Sequence, residues 1–191
     1  MKKVPAEKTG LLVLDACCGS KMLWFDNNNP ITLFSDIREL ETTLCDGRPL
    51  VIKPDQINDF TDLPFDNNSF KVVVFDPPHL ERAGDESWLA LKYGKLSNQW
   101  RNDLTNGFSE CFRVLEPDGI LVFKWNETQI KTSEVLKCSP FKPMFGHISG
   151  KRADTHWILF MKNNAMRVQE TDETSHKTNN PFSTQLRHIQ T

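Results

Sequence analysis

Short apolar runs punctuate the chain, and most of them stop at a carboxylate. LLVLDA from Leu11, ITLFSD from Ile31, LVIKPD from Leu50, KVVVFD from Lys71 and ILVFKW from Ile120 are continuous rather than alternating. A strand with one wet face alternates apolar and polar residues; a strand buried on both faces does not, and this is the condition of a parallel sheet. A sixth run, HWILFMK from His156, comes late. Asp15, Asp36, Asp55 and Asp76 stand at or just past the ends of the first four runs, and the fifth ends in KWNE. Polar groups at the carboxyl ends of such strands are where open α/β sheets hold ligands.

Between the strands the period changes. Trp100, Leu104, Phe108, Phe112 and Leu115 recur at spacings of three and four, which predicts a helix over residues 98–115 with one apolar face and Ser97 as its cap. Gly107 inside it costs about 1 kcal/mol relative to alanine. Pro117-Asp118-Gly119 predicts a turn into the next strand. Residues 128–137 read as a second helix, ending before Ser139-Pro140, and the stretch around Met22 to Phe25 has room for two turns only. The expected architecture is one α/β domain over residues 1–163. Residues 164–191, rich in Asn, Thr, Ser, Gln and charge, read as a disordered tail or one docked weakly through Phe182 and Leu186.

Composition narrows the class. The chain has 191 residues, 38% hydrophobic and 25% charged, with a formal net charge of −2. That is a globular balance and excludes a strongly basic coat for nucleic acid, though not a local basic patch. The five cysteines are odd in number and lack the two-residue gap of a zinc knuckle. They read as reduced thiols of a cytoplasmic protein, with no metal site. The apolar run near the start is broken by Asp15, and no stretch reaches the ~20 apolar residues of a membrane span.

Candidate chemistry sits at the strand ends. Asp15-Ala16-Cys17-Cys18-Gly19-Ser20-Lys21 follows the first strand as a tight turn, whose backbone N–H groups can face a ligand where Gly19 allows close approach. Gly-Ser-Lys is the wrong order for a phosphate-binding loop, and Gly19 alone is too few glycines for a dinucleotide fingerprint. Cys17 and Cys18 read as small soft fillers of this turn rather than as reactive thiols. Asp36, about 20 residues further on, suits the acceptance of two ribose hydroxyls. NDFTDLPFDNNSFKVVVFD from Asn58 and FRVLEPDGILVFK from Phe112 complete an ordered series.

That series resembles the class I S-adenosylmethionine (SAM)-dependent methyltransferases over residues 11–162. The resemblance implies a Rossmann-like three-layer fold with a seven-stranded, mostly parallel sheet whose last strand, near residues 156–162, runs antiparallel. It implies SAM as cofactor, with Asp15, Ala16, Cys17 and Gly19 around its amino-acid part and Asp36 on its ribose. Asp59 would accept from the adenine amino group, and Phe60 would lie along the ring.

Asp76-Pro77-Pro78-His79 resembles the D/N/S-P-P-Y/F/W motif of methyltransferases acting on nucleobase amino groups, especially adenine. The prolines lock φ and lack donors, so the corner is stiff and presents carbonyls. By this resemblance Asp76 and the Pro77 carbonyl fix the hydrogens of a weakly nucleophilic amine and aim its lone pair at the methyl group. His79 departs from the usual aromatic; it either clamps a base, hydrogen-bonds to it, or marks another acceptor. Lys124, Trp125 and Asn126 would open beside the acceptor, with Trp125 either stacking on a base or serving as core, and Asn126 either reading a base edge or turning the chain. Residues 80–98, with Trp88, Lys92, Tyr93 and Lys95, read as a lid. Gly146, His147, Lys151 and Arg152 are candidate phosphate contacts.

The expected function is therefore methylation of a nucleobase amino group in DNA or RNA. With no separate target-recognition domain, target choice would be limited, shape-based or supplied by a protein partner. Two other readings stand beside it: the same cofactor with a protein side chain or small molecule as acceptor, and a non-catalytic binding module.

Overall fold

A computed structural model describes residues 10–84, 87–149 and 154–168. Seven strands form the main sheet: β1 (Val13–Asp15), β2 (Thr32–Asp36), β5 (Gln56–Ile57), β6 (Phe70–Phe75), β7 (Leu115–Asn126), β8 (Phe145–Ser149) and β9 (Thr155–Met161). Their order across the sheet is β5-β2-β1-β6-β7-β9-β8. β5, β2, β1, β6 and β7 run parallel, while β9 is antiparallel to both β7 and β8. Both the mostly parallel sheet and the reversed last strand agree with the sequence reading. The strand order reverses at β1, with β2 on one side and β6 on the other, so the carboxyl ends of these parallel strands face one crevice, the usual ligand position in such sheets.

One of the expected sheet strands lies elsewhere. LVIKPD does not enter the main sheet. Its strand, β4 (Pro49–Ile52), pairs antiparallel with β3 (Leu40–Thr43) in a separate hairpin. Only alternate residues are covered, Leu50 and Ile52 against exposed Pro49 and Val51, as a hairpin with one wet face requires. Leu44, Leu50 and Ile52 close a small core with Leu40 and Leu91. The sheet position goes to the two-residue β5, too short to leave an apolar signature. Asp55 serves the backbone: its N–H donates to the Phe34 carbonyl and its carboxylate accepts from the Phe34 N–H. Around Met22 to Phe25, where the sequence leaves room for two turns only, the chain forms turns and no helix.

One face of the sheet packs on α2 (Trp100–Val114), whose buried side includes Trp100, Leu104, Phe108, Cys111 and Phe112. Phe108 meets Phe75, Phe123 and Phe160 in edge and tilted contacts at centroid distances of 4.9 to 5.9 Å. The cap differs by two residues. Gln99 holds the N-cap backbone position, while Ser97 accepts from the Gln99 N–H and bonds Asp103 of the first turn. The second expected helix shrinks to α3 (Thr132–Val135) and a 3-10 turn at Leu136–Cys138. The Pro117–Gly119 turn is absorbed into β7, with Asp118 at φ +60° and a register shift opposite Phe70 and Val72. Structure continues past residue 163. Asn164–Met166 make a 3-10 turn and Arg167 bridges Phe141, so the packed chain reaches Val168. Phe182, Leu186 and the rest of the expected tail lie outside the described residues.

The two later segments of the resemblance are bonded to each other. Arg113, in FRVL, donates to the carbonyls of Phe65 and Leu63 in the LPF segment and pairs with Glu110 at 2.6 Å. This holds the loop that carries Phe60 against α2. Gly107 is the seat: a Cβ there would lie 2.6 Å from the Phe60 ring and 2.9 Å from that of the fully buried Phe75. Gly107→Ala gains about 1 kcal/mol of helix propensity and loses about 1–3 kcal/mol to overpacking. The expected outcome is a net-destabilised protein in urea unfolding, although alanine is the better helix former.

Candidate active site at the carboxyl ends of β1, β2 and β6

The turn after β1, the end of β2, Phe60, the corner after β6 and helix α1 (Trp88–Tyr93) surround one cavity of about 70 Å³. Gly19 and Asp76 line the same space, as do Ala16, Cys17, Asp36 and Phe60. Pro77, Pro78 and His79 complete the far wall, and Lys92 and Tyr93 of α1 form the roof. Of the residues 80–98 read as a lid, Lys92 and Tyr93 border the cavity from α1. Gly94 ends that helix at φ +74°, where a Cβ would sit 3.0 Å from Pro78.

Both oxygens of Asp15 are engaged, one by the Cys17 N–H and the other by the Trp24 indole N–H at 2.7 Å. Burial pushes its carboxyl up to about 7, against the pull of the Trp24 bond. Burial also raises the thiols of Cys17 and Cys18, so both are inert as nucleophiles, in line with their reading as fillers. Asp36 is saturated. One oxygen accepts from the Gly19 N–H at 2.9 Å, and the other from the Arg38 backbone and guanidinium at 2.9 and 3.1 Å. Arg38 also donates to the Leu91 carbonyl of α1, which ties the roof to the floor.

At the corner, Lys124 donates to one Asp76 oxygen at 2.6 Å, and the other oxygen has no partner among the described residues. Burial raises the Asp76 carboxyl and Lys124 draws it back. His79 is pushed down to about 4, by burial first and by Lys124 second, so its ring is neutral at physiological pH. Tyr93 stands 5.4 Å from it, centroid to centroid.

The remaining candidates fall elsewhere. Asp59 is exposed and spends one oxygen on the Thr61 N–H and hydroxyl; Phe60, and not Asp59, reaches the cavity. Trp125 is fully buried, with its indole N–H on the Ile130 carbonyl, which resolves it as core. Asn126 bonds Thr155 and Thr128 and turns the chain at the end of β7. Gly146 and His147 lie on exposed β8, away from the cavity. Lys151 and Arg152 lie outside the described residues. Sequence reasoning missed Arg38 and Trp24. Asp-Ile-Arg at the end of β2 was the available signal for Arg38, a cation two residues beyond a ligand-facing carboxylate. Trp24 gave none, since its partner Asp15 lies across a loop of irregular turns.

No protein-family model and no curated protein matches the chain. Among solved structures it is similar to a TehB-like SAM-dependent methyltransferase from Corynebacterium glutamicum, with 13% identity over 79% of each chain and a TM-score of 0.50. It is also similar to a protein from Pyrococcus horikoshii, with 16% identity over 81% of this chain and 82% of the other and a TM-score of 0.51. The chain thus has the Rossmann-like class I methyltransferase fold. Among the described residues no helix is long and apolar enough to cross a membrane, and no cluster of His, Cys, Asp and Glu has the arrangement of a metal site.

Proposed function

We propose that this chain is a SAM-dependent methyltransferase acting on the exocyclic amino group of a nucleobase, adenine foremost, in DNA or RNA. The observation that carries the reading is the shared cavity: the Gly19 turn and the Asp76 corner face each other across it. The fold similarity to a protein described as a SAM-dependent methyltransferase supports the choice of cofactor.

The residues fit SAM in kind. The turn through Ala16, Cys17 and Gly19 would border its amino-acid part, with Asp15 buried behind that turn and outside the cavity lining; Asp36 would take the ribose hydroxyls in place of the Arg38 guanidinium, and Phe60 the adenine ring. SAM supplies an electrophilic methyl group on a sulfonium sulfur. The chain supplies position. The Asp76 oxygen that Lys124 leaves open, together with the Pro77 carbonyl, would accept the two hydrogens of the acceptor amine and orient its lone pair. Lys124 fixes the carboxylate so that only one oxygen is presented. His79, neutral and beside Tyr93, would offer a flat face to the base.

If Asp15 is uncovered to meet the ammonium of SAM, cofactor affinity becomes dependent on pH. Its folded carboxyl titrates at about 7, so it is mostly neutral below that value and a carboxylate above it. A cationic amine requires the carboxylate. Affinity for SAM is expected to rise with pH from about 5 to 7, by up to roughly tenfold per unit, and then to level off. Calorimetric titrations across this range check it; a flat profile would remove Asp15 from the cofactor contact.

The test of the function is incubation with labelled SAM and separate pools of DNA, RNA and protein, followed by mass spectrometry of nucleosides. Methylated adenosine or deoxyadenosine is expected. Label confined to protein overturns the acceptor, and no SAM retention in equilibrium dialysis overturns the reading entirely.

A further inference from the structure

A second and larger cleft, of about 510 Å³, lies behind the Gly19 turn, between the loop that follows β1 and the β3–β4 hairpin. It shares Gly19, Ser20, Met22 and Lys92 with the cavity described above. Four cations line it, Lys21, Arg48, Lys53 and Lys92, and no carboxylate does. In a chain of net charge −2 that is a concentration of one sign. Two of the four are partly neutralised from outside: Arg48 pairs with Asp46 at the exposed hairpin tip, and Lys21 lies 3.9 Å from Asp55. Lys53 and Lys92 have no ion pair among the described residues, though Lys92 lies 5.1 Å from the Tyr93 ring centroid.

The cleft is not simply basic. Met22 and Val51, both more than two-fifths exposed, put apolar surface among the cations. The same loop carries Phe25, whose ring is fully exposed, between the cleft-lining Met22 and Asn27. An exposed aromatic beside a cationic groove is the arrangement that takes single-stranded nucleic acid, with bases on the ring and phosphates on the cations. An acidic peptide matches the charge but brings no flat faces for Phe25 and Met22.

We propose that this cleft binds the backbone of single-stranded nucleic acid, with Lys21, Arg48, Lys53 and Lys92 on phosphates and Phe25 stacked on a base. The inference rests on the nucleobase reading above and supplies what that reading lacks, a surface that holds the strand while one base enters the Asp76 corner. The hairpin that diverted LVIKPD from the main sheet provides Arg48, Lys53 and the apolar strip of the cleft.

The test is fluorescence anisotropy of the full chain with labelled single-stranded DNA and RNA 16-mers, and with poly-glutamate of matched charge. Oligonucleotide binding is expected to weaken with salt, with a log–log slope on the order of −2 to −3, from three or four phosphates at ~0.7 each. Lys53→Glu should weaken it at least fivefold and flatten the slope, with Lys53→Arg restoring both. Phe25→Ala should weaken it by about tenfold with the slope unchanged, because stacking releases no counterions. Wild-type affinity in Lys53→Glu together with Phe25→Ala would overturn the proposal, as would equal binding of poly-glutamate. Equilibrium dialysis with SAM separates the two readings. Cleft-dependent oligonucleotide binding without SAM retention removes methyl transfer and keeps the cleft. Methylation of nucleobases that ignores both variants keeps methyl transfer and removes the cleft.

Discussion

Asp76→Ala is expected to abolish methyl transfer while leaving SAM affinity within about threefold of wild type. Removing one preorganised polar contact to a transition state costs about 10²–10³ in rate, and here the lost side chain also supplies one of the two acceptors that define the nitrogen's orientation. The cofactor would lie on the opposite wall, against the Gly19 turn, Asp36 and Phe60, and loses little. Lys124 complicates the variant because its ammonium loses its carboxylate partner at 2.6 Å. Asp76→Asn keeps an oxygen for the amine and a near-isosteric group beside Lys124, and should retain more activity than alanine. Single-turnover rates with saturating SAM, beside calorimetric affinities, separate the two effects. Undiminished turnover in Asp76→Ala would end the assignment of the corner as the reaction centre.

Trp125→Ala should destabilise the protein by about 3–5 kcal/mol, the range for truncating a large buried aromatic. Trp125 is fully buried, nearly parallel to Phe123 at 6.1 Å, and satisfied at its N–H by Ile130. It also meets His79 edge-on at 6.3 Å, so the collapse should spread into the corner. Trp125→Phe keeps most of the packing and forfeits the indole bond, with an expected loss of about 1–3 kcal/mol from the orphaned carbonyl. A base-stacking role predicts the opposite pattern, normal stability with a raised acceptor KM. Thermal unfolding of the apoprotein distinguishes them.

The contrast between these two residues shows how much of the molecule was legible beforehand. The main strands were readable because burial on both faces writes continuous apolar runs, and the Asp76 corner because two prolines after a carboxylate have few other uses. LVIKPD reads like those strands, but apolar composition cannot distinguish a sheet interior from a hairpin over its own small core. The place of Trp125 was undecided for a related reason. Along β7 alternate residues face opposite ways, and only the pairing with β6 and β9 says that Lys124 points to Asp76 while Trp125 points to the core. Asp36 lines the cavity, and its saturation by Gly19 and Arg38 depends on a side chain whose orientation no local pattern sets.

Arg38 grips both the Asp36 carboxylate and, through the Leu91 carbonyl, helix α1. On the proposed reading, a sugar that took Asp36 would displace the guanidinium and with it the tie to α1, so that admission and unlocking would become one event.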